Sequence, residues 1–211
     1  MKDIPMFTTD YGVAALALGQ IPYRGSAYIR SLSCQEGKEK EHIAECAAFC
    51  RAAGADRIFF TGLDTDLPPQ CSVMEMRSTP ALDLTKVENL FPVTDQTAAQ
   101  WRQIYNDRMK SVDHAAFLTA ADEAQLQNSG AYFVHHGGQL LGIGWLTDGC
   151  IRAVASVQPG AGERVAHTLI SLCPDQPLRL EVASTNEKAL ALYRRLGFIP
   201  TKIIEKWYAV Q

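Results

Sequence analysis

Apolar and polar positions alternate along the chain in patterns that predict strands and helices in turn. Runs rich in aliphatic and aromatic residues favour strands, and the segments between them have the helical period of about 3.6 residues. In the first section the pattern predicts four strands, over 11–18, 26–33, 56–61 and 72–78, and a helix at about 38–53 that has Gly54 as its C-cap. This mixture is typical of α/β or α+β proteins.

A second section follows a turn-prone stretch, and we predict the domain junction near residues 79–88, which gives sections 1–87 and 88–211. The turn signals HHGG and TDG separate three runs that predict antiparallel strands connected in series. The other predicted elements are a strand over 88–93, a helix from Thr94 as N-cap to about 110, a helix at about 161–173, and strands over 178–184 and 201–209.

The stretch STNEKALALYRRLGF, residues 184–198, has the clearest helix signals. Ser184 and Glu187 have the spacing of a capping box, and Gly197 can adopt the left-handed conformation that ends a helix. One helical face carries Ala189, Leu192, Tyr193 and Leu196. We therefore expect this face to be buried and the Tyr193 hydroxyl to need a polar partner.

The composition gives no sign of nucleic-acid or membrane binding. Charged residues make up 20% of the chain, hydrophobic residues 47%, and the formal net charge is −3, which leaves no polycationic surface. The N-terminal stretch MKDIPMFTTDYG lacks the features of a signal peptide, and no apolar run reaches the ~18 residues of a membrane span. We expect a soluble, cytoplasmic protein.

The cysteines predict free thiols. The chain has six, and none is in a CxxC or a Cys/His spacing typical of zinc. Cys46 and Cys50 share a face of a predicted helix and could hold a metal with His42. Core packing is the favoured interpretation, because a buried free cysteine behaves as a small hydrophobe.

The element order, together with LRLEVASTNEKALALYRRLGF, resembles the GCN5-related N-acetyltransferases (the GNAT family) over about residues 88–211. The residues that carry the resemblance are Val182, Asn186, Ala189, Leu192, Tyr193, Gly197 and Phe198. The resemblance implies an α/β fold with a mixed, largely antiparallel central sheet flanked by helices. It also implies acetyl-CoA as co-substrate and no metal.

Within this resemblance several residues acquire roles. Tyr193 would lie near the coenzyme A sulfur and protonate the departing thiolate, and Asn186 would hydrogen-bond the pantetheine or the nearby backbone. Glu181 is the candidate general base, acting directly or through water, and a solvent-exposed strand glutamate is the alternative. Nothing in the sequence requires an acyl intermediate on Cys150.

The loop that would bind the pyrophosphate departs from the family pattern. In VQPGAGERVAHTLI, Ala161 stands at the usual Arg/Gln position and Arg164 at the first glycine. Either Gly160, Ala161 and Gly162 still let the backbone approach the phosphates, with Arg164 adding a charged contact, or the bulky Arg164 blocks them. An excess of basic residues over 150–211 favours the first interpretation.

The strand before this loop, CIRAVASV, would separate from its neighbour and pair with pantetheine, so that backbone groups near Ala155 to Val157 hold the acyl carbonyl. The coenzyme-binding residues implied are Ala155, Val157, Gly160, Ala161, Gly162, Arg164, Val165 and Asn186.

The N-terminal section, from SAYIRSLS to RIFFTG, resembles half of a second unit of the same kind without the final tyrosine helix, and we expect it to be structural. The function predicted for the chain is transfer of an acetyl group to a primary amine by direct attack in a ternary complex. A catalytically inactive GNAT-like module that binds a ligand or another chain is the alternative, and a different acyl-CoA is a third. Expected partners are a small-molecule or peptide amine acceptor, with a homodimer left open.

Overall fold

The computed structural model describes residues 5–78, 87–174 and 176–210. Its strands and helices are β1 (Met6–Thr9), β2 (Gly12–Ala17), α1 (Ile21–Arg24), β3 (Ser26–Cys34), α2 (Glu39–Ala52), β4 (Arg57–Thr61), β5 (Cys71–Ser78), β6 (Asn89–Pro92), α3 (Ala98–Met109), α4 (Glu123–Asn128), β7 (Ala131–His136), β8 (Gln139–Thr147), β9 (Cys150–Ser156), α5 (Gly162–Ile170), β10 (Arg179–Ala183), α6 (Glu187–Arg195) and β11 (Phe198–Ala209). The fold is mixed α/β, as predicted.

The chain divides into two compact units. Unit 1 comprises Met1–Ser72 and Glu205–Gln211, and unit 2 comprises Val73–Ile204. Strand β11 therefore contributes residues to both units. The domain junction predicted near 79–88 falls largely outside the described residues, so that boundary stays a prediction.

Unit 1 is built on a sheet of β1, β2, β3, β4 and the end of β11, with β3 and β4 parallel and the other pairs antiparallel. Helix α2 connects the parallel pair, so this part of the chain is a βαβ unit. The apolar face of α2 packs on the sheet. His42, on α2, has no exposed surface, and its ring nitrogens lie 2.7 Å from Oγ1 of Thr9 and 3.3 Å from Oγ of Ser31. His42, Cys46 and Cys50 are thus part of the core, and the cysteines are free.

Unit 2 has the strand order β11, β5, β10, β9, β8, β7, β6. The predicted series of antiparallel strands is confirmed: β7 pairs with β8, and β8 with β9. Both connecting turns have two central residues with positive φ, Gly137 with Gly138 and Asp148 with Gly149, as type I′ hairpin turns require.

The two faces of β8 show how helices cover this sheet. Ile143 and Trp145 are buried with Trp101 of α3 on one face. On the other face, a Cβ added at Gly144 would lie 2.3 Å from Cδ1 of Leu169, so α5 approaches the strand closely because residue 144 has no side chain. Helix α6 shares a hydrophobic cluster with α5. Helices α3 and α5 therefore lie on opposite faces of the sheet.

Several predicted boundaries were wrong. Helix α3 has Thr97 as its N-cap, and Thr94 instead forms the preceding turn, accepting hydrogen bonds from the backbone of Thr97 and Ala98. Helix α6 is capped by Asn186, not by Ser184. Helix α2 has Ala53 as its C-cap, and Gly54 follows at a φ of 96°. The last strand begins at Phe198, not at residue 201.

Candidate active site

Strands β9 and β10 separate after a short parallel contact. Their pairing is restricted to Cys150 with Arg179 and Ile151 with Leu180. Beyond this contact, β9 continues to Ser156 and stays paired with β8 on its other edge. Among the described residues, none pairs with this edge of β9 over residues 152–156, so an extended ligand can add to it as a strand does. This is the separation that the family resemblance implied.

A tight turn connects the open strand to α5. The N–H of Ala161 donates to the carbonyl of Gln158 at 3.3 Å, with Pro159 and Gly160 between them and Gly160 at a φ of 77°. This arrangement has the features of a type II turn, in which the third residue is commonly glycine. Gly160 is therefore required by the turn itself.

Helix α5 begins without a side-chain cap. Among the described residues, none accepts a hydrogen bond from the backbone N–H of Gly162, Glu163 or Arg164. A Cβ added at Gly162 would have its nearest neighbour, Cδ2 of Leu192, at 3.7 Å, so an alanine fits here without a clash. Such a helix start is suited to an anion, because the unpaired N–H groups and the helix dipole both favour negative charge.

The Arg164 side chain is paired with Glu88, which the sequence did not indicate. Its Nε and Nη2 lie 2.7 and 2.6 Å from Oε1 of Glu88, and Nδ1 of His136 lies 2.8 Å from the other carboxylate oxygen. The backbone N–H of Glu88 donates to Oγ1 of Thr168 on α5. Burial raises the pKa of Glu88, but its contacts with Arg164 and His136 outweigh that effect and lower the pKa below its usual value.

Tyr193 packs inward on α6 as predicted, with 7% of its surface exposed and its ring 5.9 Å from that of Phe198. No described residue hydrogen-bonds its hydroxyl, and this oxygen is not among the fully buried atoms that lack a partner. Burial, and to a smaller degree the nearby phenol of Tyr105, raise the pKa of Tyr193 far above its usual value.

The residues near the end of β9 differ in whether their backbone groups are free to bind a ligand. Val157 is fully engaged: its N–H donates to the carbonyl of Leu141 at 2.8 Å, and its carbonyl accepts from Nη2 of Arg108 at 2.9 Å. Ala155 pairs with Ile143 of β8 and is buried against the α3 face. Val165 is a fully buried core residue, so any ligand contact from it is through the backbone.

Asn186 and Glu181 lie on the β10 side of the opening. Oδ1 of Asn186 accepts from the N–H of Ala189 at 3.2 Å, so this oxygen caps α6. Glu181 is exposed, at the first position of β10 beyond the contact with β9. It lies opposite Glu75 of β5, whose carboxylate is held by Arg77 and Thr201. The hydrogen bond from Arg77 is the main reason that the pKa of Glu75 is lowered.

Helix α3 and the chain after it supply residues that sequence reasoning missed. Arg108 contacts the end of β9 through Val157, and the carbonyl of Asp113 accepts from Oγ1 of Thr185, just beyond β10, at 3.1 Å. Residues 108–113 thus connect the ends of both separated strands. The available signal was the spacing of Trp101, Tyr105 and Arg108 at i, i+4 and i+7, which places them on one helical face.

No protein-family model matches this sequence, and no curated protein matches it either. Solved structures do. A GCN5-related N-acetyltransferase from Anabaena variabilis is similar with a TM-score of 0.63 and 11% identity, over 94% of this chain and 59% of that one. One from Sphaerobacter thermophilus has a TM-score of 0.52 and 10% identity, over 94% and 76% of the respective chains.

A tandem GNAT protein from the clavulanic acid biosynthesis pathway is similar with a TM-score of 0.52 and 14% identity, over 95% of this chain and 78% of that chain. At such identities the likeness establishes the fold, which is that of the GCN5-related N-acetyltransferases, as the sequence implied. Within the described residues, no helix combines the length and the apolar character needed to cross a membrane.

Proposed function

We propose that this protein is an N-acyltransferase that moves an acetyl group from acetyl-CoA to a primary amine by direct attack in a ternary complex. The observation that carries the proposal is the opening between β9 and β10, which has the uncapped start of α5 at one end, while Tyr193 of α6 packs in one hydrophobic cluster with Ile151 of β9 and Leu180 of β10. The acetyltransferase fold of the structural neighbours supports the same reaction class.

The coenzyme would be held mainly by backbone groups. Pantetheine would add to the open edge of β9, where donors and acceptors of an extended strand are free to pair. The pyrophosphate would lie against the N–H groups of Gly162, Glu163 and Arg164. Because both backbone groups of Val157 are engaged, the pantetheine contact falls on the preceding residues of the strand, which include Ala155.

Tyr193 would act on the leaving sulfur. As the amine nitrogen bonds to the acyl carbon, the carbon–sulfur bond breaks and negative charge develops on sulfur. The raised pKa of Tyr193 keeps its phenol protonated, so it can donate a hydrogen bond to this sulfur throughout. The thiolate is the weaker base, so the coenzyme leaves as a thiolate that keeps this hydrogen bond, and the proton lost by the amine goes to a separate base.

Glu181 remains the candidate base for the amine. Its exposed carboxylate at the open end of β10 can take the proton through water. Its side chain points away from the face on which Leu180 and Val182 pack with Tyr193. Glu181 would therefore act on the amine from one face of the strand, and Tyr193 on the leaving thiolate from the other. Glu181→Gln should then lower the rate and leave coenzyme affinity unchanged, and raising the pH should partly restore the rate because more of the amine is then already deprotonated. An unaltered pH–rate profile would remove Glu181 from the mechanism.

One observation favours the alternative of an inactive ligand-binding module. The only charged side chain predicted for the pyrophosphate loop, Arg164, is paired with Glu88. If the ion pair persists, phosphate binding rests on backbone groups alone.

The deciding experiment is calorimetric titration with acetyl-CoA, with desulfo-CoA and 3′-dephospho-CoA as controls. We expect micromolar binding. Gly162→Ala is the sharpest variant: the added methyl group has no protein atom nearer than 3.7 Å, but it covers the backbone where the phosphates would approach, so affinity should fall while stability holds. Gly19→Ala, at a position where an added Cβ would meet no atom within 4 Å, is the matched control. No binding at millimolar acetyl-CoA would reject the transferase.

Arg164 is tested by two further variants. If its guanidinium leaves Glu88 for the phosphates, Arg164→Ala should weaken coenzyme binding, and the difference should shrink as salt rises. Glu88→Gln should then strengthen binding, because the competing carboxylate charge is gone. Equal affinities for both variants and the parent protein would show that the ion pair only supports α5.

A further inference from the structure

The α3 face of β9 is where the acyl group would lie. Ala153 and Ala155 point to this face, where they share a hydrophobic cluster with Trp101 and Tyr105 of α3. On the opposite face, the strands are covered by α5 and α6, whose residues pack tightly with Leu180 and Val182. An acyl chain on a sulfur beside Tyr193 would therefore extend toward α3, where the side chains of Ala153 and Ala155 are small.

Tyr105 closes that direction. It is 8% exposed and belongs to the same hydrophobic cluster as Ala153 and Ala155. One turn further along α3, Arg108 contacts the carbonyl of Val157, which places the Tyr105 end of the helix over the C-terminal half of β9. Its phenol is also near enough to raise the pKa of Tyr193. The two tyrosines thus belong to hydrophobic clusters on opposite faces of the sheet.

The ring of Tyr105 is fixed from behind. It stacks on Trp101 with ring centroids 5.8 Å apart and an interplanar angle of 7°. Trp101 has no exposed surface, donates from Nε1 to the carbonyl of Tyr132 at 3.0 Å, and meets Trp145 edge to face. Because this packing leaves Trp101 no room to move, Tyr105 cannot swing into the core to admit a longer chain.

We propose that Tyr105 is the residue that restricts the acyl group to about the size of acetyl. This inference rests on the proposed function, since it presupposes that an acyl-CoA occupies the opening. With Tyr105 in this role, the protein would use only short acyl donors, and other residues would select the amine.

The test compares acetyl-CoA, butyryl-CoA and hexanoyl-CoA by calorimetry, with free coenzyme A as the reference that isolates the acyl contribution. The unmodified protein should bind acetyl-CoA at least roughly tenfold more tightly than hexanoyl-CoA, as expected where a pocket has no room for added methylenes. Tyr105→Ala should reduce this ratio to near unity by admitting the longer chain. Tyr105→Phe should keep the original ratio, because the ring and not the hydroxyl forms the wall.

Tyr105→Leu keeps the test possible if Tyr105→Ala does not fold. It keeps an apolar side chain against Trp101 and should give an intermediate ratio, with tryptophan fluorescence as the check on packing. If acetyl-CoA and hexanoyl-CoA bind the unmodified protein equally, or if Tyr105→Ala and Tyr105→Leu leave the ratio unchanged, Tyr105 is not the wall, although the transferase proposal survives. If no form of coenzyme A binds, both proposals fail together.

Discussion

Replacing Tyr193 by phenylalanine should make the protein more resistant to alkaline unfolding. The pKa of this phenol is raised well above its ordinary value because the ring is buried. Its stabilising contribution is therefore complete below the unfolded-state pKa of about 10 and is lost as the pH rises toward the folded-state pKa. The phenylalanine variant has no such group and should not share the loss.

The size of the effect follows from linkage. Each pH unit above the unfolded-state pKa removes about 1.4 kcal/mol from the free energy of unfolding, as long as the folded-state phenol stays protonated. Between about pH 8 and pH 11.5, the unmodified protein should thus lose about 2 kcal/mol more than Tyr193→Phe. At neutral pH the two should differ little, because no hydrogen bond from a described residue is removed.

Urea unfolding at several pH values, followed by tryptophan fluorescence, measures this difference, since Trp101 and Trp145 are both buried in unit 2. Tyr23→Phe is the control for the loss of a phenol as such, because Tyr23 is 54% exposed. If the unmodified protein and Tyr193→Phe lose stability in parallel up to pH 11.5, then the folded-state phenol ionises as readily as an exposed one, and the argument from burial is refuted.

Three further outcomes are expected. Gly144→Ala should cost about 1–3 kcal/mol in urea unfolding, because its Cβ would meet the fully buried Leu169, whereas Gly19→Ala should cost little. Asn186→Ala should cost about 1 kcal/mol through loss of the α6 cap, and Asn186→Asp, which keeps the acceptor, should stay near the original stability; equal values for the two would contradict the capping role. Once an amine acceptor is found, Tyr193→Phe should lower kcat about 10²–10⁴-fold with little change in coenzyme affinity, and an unchanged kcat would end its role as hydrogen-bond donor to the leaving sulfur.

The parts of the fold that local signals determine were predictable. The paired glycines and the Asp-Gly pair of the hairpin turns gave the order β7, β8, β9, and Gly197, at a φ of 79°, ends α6 where predicted. Helix starts were harder to place. Thr94 and Thr97 both suit an N-cap, and Asn186 replaces Ser184 because β10 extends to Ala183 and the chain then needs two residues to turn.

The contacts around the candidate site were beyond sequence reasoning because they join distant positions. Glu88 and Arg164 are 76 residues apart, and Arg108 and Val157 are 49 apart. No spacing rule relates such pairs, since only the folded sheet brings them together. The helical face that carries Tyr105 could be read from the sequence, but its position over β9 could not.

Strand β11 has a consequence for synthesis of the chain. Its first residues belong to unit 2, whereas Tyr208 and Ala209 pair with β4, and Trp207 packs edge to face on Tyr28 in unit 1. On a ribosome, the first 72 residues emerge early but lack this last strand until all of unit 2 has been translated, which takes roughly 7–26 seconds at about 5–20 residues per second. Through that interval β4 presents an unpaired edge, so the nascent N-terminal unit is exposed to strand exchange with neighbouring chains until its own C-terminal segment arrives.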